Sequence, residues 1–134
     1  MSPIHQVLLV ATGGAIGACF RFGIAELFRK LPAAGEADSS VGFPYATVVA
    51  NFIGCFLIGA LLGSGIADKH EWMKLGLGIG FLGALTTFST FSAETVQQIQ
   101  EEQWGGCVAN ILTSVIGGVL LVLLGMAVGK RVLG

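Results

Sequence analysis

Gly83-Ala84-Leu85-Thr86-Thr87-Phe88-Ser89-Thr90-Phe91-Ser92 is the stretch on which the reading of this chain turns. Five of its last seven residues carry hydroxyls, yet it follows the apolar run Leu75 to Leu82. A hydroxyl taken into hydrocarbon without a hydrogen-bond partner costs about 2–7 kcal/mol, so something must engage these donors and acceptors. Hydroxyl and β-branched side chains also compete with the helical ladder, which makes the run poor helix. A break there would free backbone carbonyls, and these can bind a cation only where protein buries them.

The rest of the chain is apolar enough to put this run inside a membrane. Of 134 residues, 54% are hydrophobic and only 11% charged, against about a quarter charged in ordinary soluble domains. Mean hydropathy is +0.83. Seven basic residues against eight acidic ones give no basic field, so nucleic acid is not an expected partner. Cys19, Cys55 and Cys107 lie in apolar stretches and read as free, buried thiols acting as small hydrophobes. His5 and His70 have no companions at zinc-ligand spacing. No Lys or Arg precedes the first apolar stretch and no small-residue cleavage pattern follows it, so it reads as a retained span.

Since a hydrocarbon core of about 30 Å needs about 20 helical residues, the charges divide the chain into four spans, near 5–28, 43–66, 73–99 and 104–129. The expected fold is an all-α membrane protein, one four-helix domain over 1–134. The connections Arg29–Ser40, Ala67–Lys74 and Gln100–Gln103 are too short to hold a further domain. An even number of spans puts Lys69, Lys74, Lys130 and Arg131 on one face and Arg21, Arg29 and Lys30 on the other. Orientation follows an excess of Lys and Arg in cytoplasmic loops. Four against three is hardly an excess, and a chain that inserts both ways can pair with its inverted self, so an antiparallel homodimer is expected. Gly13 and Gly17, Gly59 and Gly63, Gly76 and Gly80, and Gly125 and Gly129 give each span a small-xxx-small pair, which lets helices approach closely.

The run Val7 to Gly17 looks like a strand leading into a dinucleotide-binding turn, with Glu26, Glu36 or Asp38 as the ribose acid. That motif needs an α/β domain, and nothing downstream alternates strands with amphipathic helices. Thr47 and Asn51 are four apart, so they share a helical face, which Cys55 and Ile58 continue. Asn110 and Ser114 repeat the arrangement in the fourth span, with Thr113 beside them and Gly118 further along. A lone intramembrane Asn reads as interhelical glue. Two polar stripes together with the hydroxyl run can line a narrow path.

Phe88 and Phe91 are interleaved with Thr87, Ser89, Thr90 and Ser92, and an aromatic ring has a positive edge. Ring edges beside hydroxyl and amide donors suit a small, strongly hydrogen-bonding anion. Glu94 fits either the membrane interface or a pore mouth, and Arg21 either snorkels to the headgroups or concentrates anions in a vestibule. No Ser-His-Asp set, carboxylate pair or phosphate loop stands in an enzyme-like context.

The segments Gly13 to Arg21 (GGAIGACFR), Thr47 to Gly54 (TVVANFIG) and, most specifically, Gly80 to Thr95 (GFLGALTTFSTFSAET) resemble those of the Fluc fluoride channels, also called CrcB, and the likeness covers nearly the whole chain. The resemblance implies a dual-topology dimer in the bacterial inner membrane, with two antiparallel pores that pass fluoride passively out of the cytoplasm and confer fluoride resistance. It implies a broken third helix whose carbonyls at Gly83 and Thr86, from both subunits, hold a central sodium ion. It also implies a fluoride path along Phe88, Phe91 and Asn51, with a polar track matching Glu94, Ser114 and Thr47. Ser89, Thr90 and Asn110 complete the expected lining, with Arg21 in the vestibule. Two positions depart from the pattern, Asn110 where some relatives have tyrosine and Gly118 where some have serine.

Two other readings compete. Small multidrug transporters are also four-span, dual-topology dimers, but they resemble one another in a membrane-embedded glutamate in the first helix, and Val7 to Phe20 contains no acid. A non-transporting assembly protein would explain the glycines but not polar stripes in three spans.

Overall fold

Ser2 and Pro3 open the first helix. The Ser2 hydroxyl accepts from the His5 backbone N–H at 3.5 Å, and Pro3 takes a first-turn position where a missing N–H does no harm. The computed structural model describes residues 1–30 and 42–132. In it four helices are long and apolar enough to cross a membrane, Pro3–Arg29, Tyr45–Ser64, Glu71–Gln100 and Trp104–Val132. The chain is an all-helical, multi-pass integral membrane protein. The connection expected over Arg29–Ser40, with Glu36 and Asp38, lies almost wholly outside the described residues.

The first two spans are single helices, α1 (Pro3–Arg29) and α2 (Tyr45–Ser64). Gly65 ends α2 at φ 63°, a left-handed conformation that glycine adopts without penalty. The next connection is more helical than the sequence led us to expect, because Ile66–Lys69 (α3) and Glu71–Met73 (α4) form turns around His70. The third span continues as a π-helical segment, Lys74–Leu82, then α5 (Gly83–Leu85) and α6 (Phe88–Gln100). The fourth comprises α7 (Trp104–Leu112), a π-helical turn at Thr113–Gly117, and α8 (Gly118–Val132).

The spans pack as two parallel pairs, first with third and second with fourth. Glycine explains the pairing. A Cβ added at Gly13 would collide with the carbonyl of Gly76, and one at Gly17 with the carbonyl of Phe81. In the other pair, Gly59 and Gly63 face the carbonyls of Val122 and Met126, and Gly125 and Gly129 face those of Phe56 and Ala60. Every small-xxx-small pair in the sequence thus contributes a residue that faces a neighbouring span's backbone, where lipid supplies no hydrophobic drive and close van der Waals contact takes its place. The two pairs meet over Ala50, Leu61, Leu82 and Leu85, with Ile58 and Phe81 against them.

Candidate functional site

The hydroxyl run interrupts the third span. Thr86 (φ −84°, ψ 152°) and Thr87 (φ −149°, ψ 119°) are extended between α5 and α6. Thr87 caps α6, its hydroxyl accepting from the Thr90 backbone N–H at 3.2 Å. Asn51 on α2 grips the same residue from across the interface. Its Oδ1 accepts from the Thr87 N–H at 2.8 Å, and its Nδ2 donates to the Thr87 carbonyl at 3.3 Å. Gly54, one turn on, leaves room for the Thr86 methyl group, which a Cβ would strike. In an unbroken helix the Thr87 and Thr90 N–H groups would bond to the carbonyls of Gly83 and Thr86. Here those donors go to Asn51 and to the Thr87 hydroxyl, so two carbonyls are released from the ladder. Thr87→Val removes the capping oxygen and is expected to lower stability by about 1 kcal/mol, measured by thermal unfolding in detergent.

Two cavities adjoin this interruption, and Thr87 lines both. The first, about 420 Å³, is lined by Asn51, Cys55, Phe88, Phe91 and Ser114 among others, and by no charged side chain. The Phe88 and Phe91 ring centroids lie 5.8 Å apart with their planes tilted by 42°. Phe88 is 80% exposed in the single chain. The second cavity, about 360 Å³, is lined by Arg21, Thr47, Thr90 and Glu94 among others. Thr47 donates its hydroxyl to Glu94 Oε1 at 2.6 Å. The lining offers an amide, hydroxyls and two phenylalanine rings in one chamber and both a guanidinium and a carboxylate in the next.

A family model described as CrcB-like protein, Camphor Resistance (CrcB), matches residues 8–126. This chain belongs to the CrcB family. It is 42% identical over 127 residues to "Fluoride-specific ion channel FluC" of Dehalococcoides mccartyi (strain ATCC BAA-2100), covering 93% of this chain and 92% of the relative. It is 42% identical over 127 residues to "Fluoride-specific ion channel FluC 1" of Geobacillus kaustophilus, covering 95% and 100%. Against "Fluoride-specific ion channel FluC 2" of Bacillus cereus (strain ZK) the identity is 40% over 124 residues, covering 92% and 97%.

In this CrcB chain the α2 stripe divides between the chambers: Asn51, Cys55 and Ile58 line the first and Thr47 the second. Asn110 lines neither. It is 0% exposed, donating to the Thr95 hydroxyl at 3.1 Å and accepting from Ser114 at 3.2 Å, so it braces α6 against α7. Ser89 stays at the surface, 3.2 Å from the Thr87 hydroxyl. Of the three free thiols, Cys107 is buried, Cys55 half-buried and Cys19 exposed, so the expected burial within the protein holds for Cys107 and not for Cys19 in the single chain. Sequence reasoning passed over Thr95 and Gln98. Their spacing from Glu94 and Phe91 was legible, but nothing in the sequence told a buried polar face of α6 from a solvated helix end.

Proposed function

We propose that this CrcB protein is a fluoride-selective channel, not an enzyme, giving passive export of fluoride through two pores in an antiparallel homodimer. The observation that carries this reading is the uncharged chamber in which Asn51, the Phe88 and Phe91 rings and Ser114 converge. Fluoride is small and strongly hydrated, so a pore must replace its water with donors. A fixed cation in the narrow part would hold the ion too firmly, and conduction requires leaving as well as entering. Neutral amide, hydroxyl and ring-edge groups meet both conditions, and the curated relatives carry the name of fluoride-specific channels.

In this reading Arg21 draws anions toward the second chamber, and Thr87, common to both, is the crossing point. The antiparallel homodimer is supported by the near-equal split of Lys and Arg between the two faces. It is also supported by the exposure of Phe88 on the open side of the first chamber, where a second copy would close the wall. The carbonyls of Gly83 and Thr86, released from the helical ladder, suit a hard monovalent cation such as sodium, held by both copies at the interface. Such an ion would supply a fixed positive charge beside the two pores.

Purified protein in liposomes should release fluoride much faster than chloride. Proton-coupled cation exchange would instead support a transporter, and no flux a scaffold. Phe88→Ile keeps an apolar side chain but removes the ring edge, and fluoride efflux should fall roughly tenfold, the upper end of what one aromatic contact contributes.

A further inference from the structure

Among the described residues, three buried side-chain nitrogen and oxygen atoms lack a hydrogen-bond partner: Glu94 Oε2, Gln98 Oε1 and Gln98 Nε2. All three sit on one face of α6, because residues four apart in a helix stack one above the other. Gln98 is 0% exposed. Its amide packs toward Gly106 on α7, where an added Cβ would lie 3.2 Å from Nε2. The contrast with the other intramembrane amides is plain. Asn51 uses both amide groups on Thr87 and Asn110 uses both on Thr95 and Ser114, whereas Gln98 has neither engaged. Buried polar groups are almost always satisfied, so an orphaned amide one helical turn from an orphaned carboxylate oxygen marks a place for a small polar occupant.

We infer that Gln98 and Glu94 form a station for a partly hydrated fluoride ion at the end of the path, an inference that rests on the channel reading above. The ion accepts from the Gln98 Nε2–H, a water it retains donates to Gln98 Oε1, and a further water donates to Glu94 Oε2 and stands between the carboxylate and the ion. A carboxylate one turn away disfavours a bare anion and favours one still carrying water. Position agrees with this role. Glu94 also lines the second chamber, and Gln98 lies two residues before the helix ends at Gln100, about 3 Å along the axis.

The test is fluoride efflux from liposomes as a function of fluoride concentration, with Gln98→Leu and the isosteric Gln98→Glu, each checked by thermal unfolding. Loss of one hydrogen bond to a charged group should raise the half-saturating fluoride concentration roughly tenfold in Gln98→Leu. Gln98→Glu, which loses the donors and adds negative charge, should raise it further. An unchanged half-saturating concentration in folded Gln98→Leu, with or without a gain in thermal stability, would mean that the amide holds structural water alone, and overturns the station. If Gln98→Leu does not fold, the same result in Gln98→Glu decides against it. Wild-type protein that passes no fluoride removes the channel reading itself, and this inference with it.

Discussion

Asn51→Asp should silence fluoride efflux. The substitution keeps the oxygen that accepts from the Thr87 N–H at 2.8 Å but replaces the donor to the Thr87 carbonyl, 3.3 Å away, with a second oxygen. Two acceptors then face each other at the interruption of the third span, and a carboxylate enters the wall of an otherwise uncharged chamber. An anion about 4 Å from that charge is repelled by about 4 kcal/mol at an effective dielectric constant near 20, equivalent to roughly a thousandfold loss of occupancy. The measurement is fluoride-electrode efflux from liposomes, with size-exclusion profiles to verify that the variant assembles as the wild type does. Wild-type efflux from well-assembled Asn51→Asp protein would take Asn51 out of the proposed path and leave it only the grip on Thr87.

Gly125→Val should cost the protein its fold. A Cβ there would strike the Phe56 carbonyl and lie 2.9 Å from the Ala60 nitrogen. Overpacking in ordinary cores costs about 1–3 kcal/mol because neighbouring side chains can yield. Here the neighbour is helix backbone, with no rotamer to yield, so the second and fourth spans must separate and the loss should exceed about 3 kcal/mol. Gly105→Ala is the control, since nothing lies within 4 Å of a Cβ added there, and a change within about 0.5 kcal/mol is expected. Size-exclusion profiles and thermal unfolding in detergent separate the two. A well-folded Gly125→Val protein would mean that the spans are less tightly apposed than described.

Much of this was legible in the chain. Hydrophobic runs longer than the bilayer is thick located the four spans, because only helices satisfy their own backbone in lipid and their length is set by its thickness. The small-xxx-small pairs announced close packing, but not which span meets which; that depends on backbone approach at Gly13, Gly17, Gly59 and Gly125. Asn51 was legible as a candidate by its place on a stripe. Its attachment to the Thr87 backbone was not, because the sequence does not show where a helix loses register. The π-helical segments at Lys74–Leu82 and Thr113–Gly117 escaped for a similar reason, since an i→i+5 ladder leaves no distinctive residue pattern. Spacing makes Asn110 a candidate for a polar stripe, but does not show its two bonds to Thr95 and Ser114, which brace α6 against α7.

Gly13 meets Gly76, and Gly59 meets Val122, each across 63 positions of sequence. Neither seam can be sewn between consecutive helices. During biosynthesis the oldest segment must therefore dwell among lipids, unmated, while the next is threaded in the opposite sense, and only the third arrival supplies its match. Maturation of this chain is set by the last helix to reach the bilayer, and truncation within that helix should strand the second one even though every residue of its own sequence is intact.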